Sequence, residues 1–366
     1  MRLFGRVAAI ATLSVLLAAY AGANEMKSLL SRLVAVRLTP AKGFAVRMLV
    51  PPGQLYDPLV MHPHGDDVWL NDDGKQEGEH GSRLIAVNAA GHVSVLVDAD
   101  KLAPISAGFD IAPDSFGAYG GQVFALSQVT TGDKAGAQNY IVQRIDPRKG
   151  FAVSVFCTLP AQGGKASGVG VDATFSPTGS PFGGKLYATS SVNNTIYAIT
   201  PDGRAEPFVT FDANRYGAPL YMRFAPDGNS LLVAVVRGGI FAPRGSAIIR
   251  VMPDGKVSGT PLAESPNLFG SFDYAPAGFG PYAGQLFVTD VGYYEIPVPL
   301  AEPLRPDGKV YRVSPSGKFE LVASGFVNPW DLRFIKQSLW VSDVNGDFIY
   351  GHREIPDGFI AEITLQ

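Results

Sequence analysis

Seven aspartates recur beside short apolar runs along this chain: Asp72, Asp110, Asp172, Asp273, Asp290, Asp331 and Asp343. Gathered at one place, such carboxylates would suit a hard cation such as Ca²⁺, which takes six to eight oxygen ligands. Two segments, Asn71-Asp72-Asp73-Gly74 and Asp343-Val344-Asn345-Gly346-Asp347, place oxygen ligands around a glycine turn, though neither follows the twelve-residue EF-hand pattern. Five histidines are present. His62 and His64 flank Pro63 and share a face of an extended strand, but their place at a strand end reads as a surface turn. His80 and His352 lie in long connecting segments, where an imidazole can act as a general base near neutral pH. The candidate catalytic set is therefore Asp172, Asp331, His80 and His352. No Gly-x-Ser-x-Gly elbow, phosphate-binding loop or zinc-protease motif occurs. The single cysteine, Cys157, ends the strand-like run Val153–Cys157 and reads as a core residue; one cysteine also excludes an internal disulfide.

The elements that must position these groups are short strands. Of 366 residues, 42 are glycine and 28 proline, while 46% are hydrophobic. That combination belongs to a packed, turn-rich, all-β chain. One strand recurs six times, as Val68-Trp69-Leu70, Val123-Phe124-Ala125, Leu186-Tyr187-Ala188, Leu231-Leu232-Val233, Leu286-Phe287-Val288 and Leu339-Trp340-Val341. The copies are 55, 63, 45, 55 and 53 residues apart. Each is the second of four strands, and a four-stranded unit at this period predicts a propeller blade. The sixth unit stops after its third strand, while Lys42–Val46 repeats Lys149–Val153, the fourth strand of the second unit. The prediction is a six-bladed β-propeller over residues 43–366 whose last blade is closed by an N-terminal strand near Phe44–Val50. Residues 24–42 form an extension. Ser31–Val36 also resembles a third strand, which leaves open an N-terminal hairpin.

In such a blade, the segment between second and third strands lies at the same end of the ring as the start of the first strand. These segments are long at 71–83, 127–139, 290–309 and 343–358, so length is concentrated on one rim, where functional groups are usually carried. Asp110, Asp172, Asp273 and Asp331 are assigned to the starts of first strands, and Asp72, Asp290 and Asp343 to the ends of second strands. A competing, purely structural arrangement is equally visible. The third residue before each strand-end proline or its equivalent is Asp110, Thr174, Arg223, Asp273 or Arg333, and opposite charges there can pair between blades.

Residues 1–23 read as an export signal. Arg2 and Arg6 precede an apolar run from Val7 to Ala19, and Ala19-Tyr20-Ala21 and Ala21-Gly22-Ala23 both fit the small-x-small cleavage rule. The run is too short to span a bilayer. The mature chain would begin at Gly22 or Asn24 in the periplasm or medium, as a monomer without stable membrane insertion. A net charge of −3 supplies no basic face for nucleic acid.

Phe224-Ala225-Pro226-Asp227-Gly228-Asn229 before a Leu-Leu-Val strand, and Gly325–Trp330 leading into Asp331–Phe334, resemble the senescence-marker/gluconolactonase and NHL-type propeller superfamily. The resemblance covers about residues 43–366 and implies lactonase-type hydrolysis with a divalent metal held by a Glu/Asn/Asn/Asp set where first strands begin. The matching positions here are Asp57, Ala107, Val171, Leu220, Gly270 and Trp330, and a shift of one gives only Asp172 and Asp331. The functional expectation is an exported lactonase- or esterase-type hydrolase of a small molecule, with Ca²⁺ on the acidic rim. The alternative is a non-catalytic propeller that binds a carbohydrate, peptide or protein there. A third reading is a relative of quinone-dependent sugar dehydrogenases, suggested by Asn328-Pro329-Trp330 and by Arg83, Arg223 and Arg333 as anion contacts.

Overall fold

The computed structural model describes residues 36–73, 82–103, 105–130, 138–160, 172–191, 193–238, 244–291, 307–314, 316–344 and 356–366. These build six antiparallel sheets in a ring, a six-bladed β-propeller. Blade 1 runs Asp57–His64, Asp67–Asp73, Ser82–Asn88, Val93–Val97; blade 2 runs Ile105–Ile111, Val123–Thr130, Gln138–Asp146, Ala152–Thr158. Blade 3 comprises Ala173–Phe175, Leu186–Ser190, Thr195–Ile199, Ala205–Thr210, and blade 4 comprises Ala218–Phe224, Leu231–Val236, Ser246–Val251, Ala263–Ser265. Blade 5 holds Phe269–Tyr274, Leu286–Asp290, Gly308–Val313 and Phe319–Phe326; blade 6 holds Pro329–Ile335, Ser338–Asp343 and Gly358–Leu365.

The six repeated second strands are the second strands of the six blades. They are apolar on both faces because each face packs against a neighbouring blade, and every residue of Leu231–Val236 and Leu186–Ser190 is buried. Polar turns stop them from running on. At Asp227-Gly228 the chain reverses with Gly228 at φ +68°, Asp227 accepts the Asn229 N–H, and Ala225 bonds Ser230. That left-handed position favours glycine.

Aromatic side chains fill the gaps between blades. Phe124 meets Phe175 at 5.4 Å between blades 2 and 3, Tyr187 meets Phe224 at 5.7 Å between blades 3 and 4, and Phe287 meets Phe334 at 5.2 Å between blades 5 and 6. All three are edge-to-face, the arrangement the ring quadrupoles favour.

Phe44–Leu55 pairs with Gly358–Leu365 from Phe44↔Leu365 to Leu55↔Gly358, so the N-terminal strand is the outer strand of blade 6. Upstream, Thr39–Pro40 adds to the outer strand of blade 5, through Thr39↔Ser324 and Pro40↔Ala323. The described part of the 24–42 extension is thus held by the neighbouring blade. The export signal and the possible hairpin strand at Ser31–Ala35 lie outside the described residues.

Candidate functional site

In five of the six inner strands the register slips against the second strand, between Pro58 and Met61, Ile105 and Phe109, Pro219 and Met222, Phe269 and Phe272, and Pro329 and Asp331. A bulge leaves backbone donors without ladder partners, and here the second strand's side chains take them up. The N–H of Val60 donates to Asn71 at 2.8 Å, of Ser271 to Thr289 at 2.8 Å and of Asp331 to Ser342 at 3.1 Å; in blade 3, whose described pairs show no slip, that of Asp172 donates to Thr189 at 2.6 Å.

Past the bulge the strands regain register, with Met61, Phe109, Ala173, Met222, Phe272 and Leu332 opposite the last residues of the six repeated motifs. The residues on either side form two tiers around the axis. The first, nearer the long segments, is Val60, Gly108, Asp172, Tyr221, Ser271 and Asp331. The second is His62, Asp110, Thr174, Arg223, Asp273 and Arg333.

These tiers stitch the blades together. First-tier acids accept the backbone N–H of the next blade's post-bulge residue: Asp331 from Met61 and Asp172 from Met222, both at 2.8 Å. Second-tier acids repeat this two residues on, Asp110 taking the N–H of Phe175 at 2.7 Å and Asp273 that of Phe334 at 3.1 Å. At the two remaining junctions the tier residues meet through their side chains. His62 Nε2 meets Asp110 Oδ1 at 2.7 Å between blades 1 and 2, and Arg223 Nη2 reaches Ser271 Oγ at 3.4 Å between blades 4 and 5. Arg223 also spans the axis, bonding Asp172 at 2.9 Å and Asp331 at 3.2 Å from opposite sides of the ring. Arg333 donates to the Met61 carbonyl at 2.8 Å. Gly108 makes room for this: a Cβ there would collide with the Asp172 backbone and carboxylate.

The electrostatics follow the partners. Burial raises the carboxyl of Asp172, opposed by Arg223, and that of Asp273, opposed by Arg333. At Asp110 burial also pushes upward, but His62 and two backbone N–H groups outweigh it and the net shift is downward. Burial and the neighbouring Arg223 lower Arg333, whereas the Asp172 and Asp331 charges outweigh burial and raise Arg223.

Asp110 and Asp273 therefore sit late in their strands, not at the starts assigned from sequence, whereas Asp172 and Asp331 are early. Asp72, Asp290 and Asp343 do end second strands. Asp72 accepts the Tyr56 N–H at 2.9 Å and pairs with Arg83; Asp290 accepts from Ser265 at 3.1 Å and Asn267 at 3.3 Å; Asp343 accepts the N–H groups of Val327 at 2.9 Å and Asn328 at 3.0 Å. The seven acids are distributed among the blade junctions, Asp172 and Asp331 sharing Arg223. Among the described residues no group of three or more His, Cys, Asp or Glu side chains is arranged to hold a metal ion. His80 and His352 lie outside the described residues. The reading missed at sequence level is His62: it stands three residues before the strand-ending Gly65, the same register as Asp110 and Arg223, but was set aside as a turn residue. Its Nδ1 also lies 2.8 Å from the Pro63 carbonyl, so both ring nitrogens face acceptors.

A different set of groups remains unspent. Tyr221 Oη, Trp330 Nε1, Asn328 Oδ1 and Arg223 Nε are buried without a hydrogen-bond partner among the described residues. The Tyr221 and Trp330 rings, on blades 4 and 6, meet edge-to-face at 6.1 Å. Burial and the charges of Asp331 and Asp172 hold the Tyr221 phenol well above its ordinary range, so it stays a donor. Tyr221, Trp330 and Asn328 all lie on the long-segment side of the Arg223 clamp.

No family model and no curated protein matches the chain. Solved structures do. A glucose dehydrogenase is 13% identical over 88% of this chain and 100% of its own, with a TM-score of 0.59. A protein provisionally assigned as a gluconolactonase is 14% identical over 89% and 93%, TM-score 0.53. An auxiliary nutrient binding protein from Bacteroides ovatus is 12% identical over 88% and 77%, TM-score 0.54. At these identities the likeness is one of fold: the chain has the six-bladed propeller architecture of lactonase-like and glucose-dehydrogenase-like proteins.

Proposed function

We propose that this chain is an exported propeller that holds a sugar-sized polyol on the rim where its long segments attach. The observation that carries the reading is the group of buried polar atoms without partners among the described residues, Trp330 Nε1, Asn328 Oδ1 and Tyr221 Oη. Each such atom costs about 1–3 kcal/mol unless something bonds it. Together they offer two donors and an acceptor beside an indole face, the complement of a ring bearing hydroxyls. The name of one structural neighbour, a glucose dehydrogenase, is in keeping with this ligand class. Export rests on residues 1–23, with the mature chain beginning at Gly22 or Asn24.

Hydrolysis of a sugar lactone is the second reading, favoured by the gluconolactonase-like neighbour. A lactone presents the same hydroxyls, so one experiment addresses both. Isothermal titration of the mature protein with D-glucose and D-glucono-δ-lactone should show saturable binding, weakened at least tenfold in Trp330→Phe. Release of gluconate above the spontaneous rate would establish the hydrolase. Absence of binding to either compound would overturn the reading.

A further inference from the structure

The two axial tiers differ in exposure. Val60, Asp172, Tyr221, Ser271 and Asp331 of the first tier are each 1% exposed or less. In the second tier His62, Asp110 and Arg333 keep 25%, 16% and 14% of their side-chain surface, and Asp273 is half-buried. Solvent therefore reaches the axis from the end of the ring opposite the long segments and stops at the second tier. Most of the polar groups it meets there are spent. His62 has an acceptor at each ring nitrogen. Asp110 takes four donors, from His62, the Thr174 hydroxyl and the N–H groups of Ile111 and Phe175. Both terminal nitrogens of Arg223 are bonded, to Asp172, the Met222 carbonyl, Ser271 and Asp331.

Arg333 and Asp273 are not. Arg333 commits Nε, to the Met61 carbonyl at 2.8 Å with Asp331 at 3.5 Å, and neither Nη1 nor Nη2 has a bond among the described residues. The edge left over is the end of the guanidinium, where Nη1 and Nη2 present parallel N–H donors that can grip both oxygens of a carboxylate. The charges that act on it, Arg223, Asp331, Asp273 and Asp172, belong to blades 3 to 6, which places the guanidinium toward the axis. Burial and Arg223 hold its pKa below the ordinary arginine value in spite of those acids, so its charge is under-compensated. Asp273 accepts one N–H on each oxygen, from Tyr274 at 2.9 Å and Phe334 at 3.1 Å, which leaves about two of its four lone-pair sites. Arg333 is the foremost charge opposing the burial of Asp273, yet among the described residues the two form no ion pair. A free fork and a half-used carboxylate thus stand on adjoining blades, close enough to act on each other but not joined.

We infer that the open end of the axis is a second ligand site and that it takes a small α-amino acid, with the carboxylate on the Nη1–Nη2 edge of Arg333 and the ammonium on Asp273. A bare anion suits the place poorly, because Asp110, Asp172, Asp273 and Asp331 already outnumber Arg223 and Arg333 there. A zwitterion adds no net charge. The site lies at the opposite end of the ring from the polyol site and does not depend on it. The test is isothermal titration of the mature protein, at low salt, with glycine, L-alanine and L-serine, and with acetate and methylamine as the two halves of the ligand. The amino acids should bind saturably, and each half should bind at least tenfold more weakly, the worth of one lost charge-assisted contact. Arg333→Lys keeps a cation beside Met61 but not the flat edge, so amino-acid affinity should fall about tenfold or more while circular dichroism shows a folded ring. Asp273→Asn should bring glycine down to the level of acetate. Acetate binding as tightly as glycine, or amino-acid affinity unchanged in Arg333→Lys, would overturn the assignment. So would binding of none of the three amino acids to the parent protein, a result that requires no variant to fold. The response to glucose bears only on the polyol reading.

Discussion

Asp331 of the last blade accepts the backbone N–H of Met61 in the first blade at 2.8 Å, while its other oxygen takes Arg223 at 3.2 Å. One buried carboxylate therefore joins the first and last blades and ties both to blade 4. An amide there keeps one acceptor but turns its NH₂ toward a backbone donor or a guanidinium. Asp331→Asn and Asp172→Asn should each lose about 3 kcal/mol of stability, as for a buried ion pair deprived of one partner, with no ligand present. Urea unfolding measures this. Variants as stable as the parent would mean that the two carboxylates are held in reserve for a ligand.

The closeness of the inner strands gives a second expectation. A methyl at Gly108 meets the Asp172 backbone, whereas one at Gly259 meets nothing within 4 Å. Gly108→Ala should cost about 2 kcal/mol or more by overpacking, and Gly259→Ala should be close to neutral. Equal melting temperatures for the two variants would contradict the inter-blade contact.

The fold was legible because second strands such as Leu231–Val236 are buried on both faces, and a strand so placed must be written in apolar residues six times over. The N-terminal closure was legible for a similar reason, as Lys42–Val46 copies a fourth strand. The site was legible only in part. The opposite-charge register placed Asp110, Arg223, Asp273 and Arg333 in one tier, but their bonds go elsewhere: Arg223 takes Asp172 and Asp331, Asp110 meets His62, and Asp273 accepts the Phe334 N–H. Depth was misjudged, because the bulges shift the inner strands by residues that carry no local signature. His62 was misjudged because its partner, Asp110, lies in another blade, a contact that local spacing does not express.

Two aspartates should titrate with opposite consequences. Burial raises the Asp72 carboxyl to about 6, with Arg83 only partly offsetting it. Between its ordinary value near 3.8 and 6 the folded state holds a proton the unfolded chain has released. This group's contribution therefore falls as pH rises through that window, by on the order of 3 kcal/mol, and is level above it. Asp110 is shifted downward. Its contribution is present above about pH 4 and is lost as pH falls through its folded value. Unfolding free energies measured from pH 2 to 8 should lose the first slope in Asp72→Asn and the second in Asp110→Asn.

Tyr221 separates binding from stability. Its hydroxyl is buried without a partner among the described residues, so Tyr221→Phe should be neutral or stabilising by about 1 kcal/mol. The same variant should weaken sugar binding. A clear loss of stability on denaturant titration would show that the hydroxyl is already bonded in the free protein.

The pairing of Phe44–Leu55 with Gly358–Leu365 also sets the timing of folding in the cell. The outer strand of blade 6 leaves the ribosome some three hundred residues ahead of its partner. At about 5–20 residues per second that interval is roughly 15–60 s. Throughout it the early strand presents an open edge, and blade 6 is unavailable to close the ring. A holding chaperone that shields this one segment would thus act on the step that commits the whole chain to its native topology.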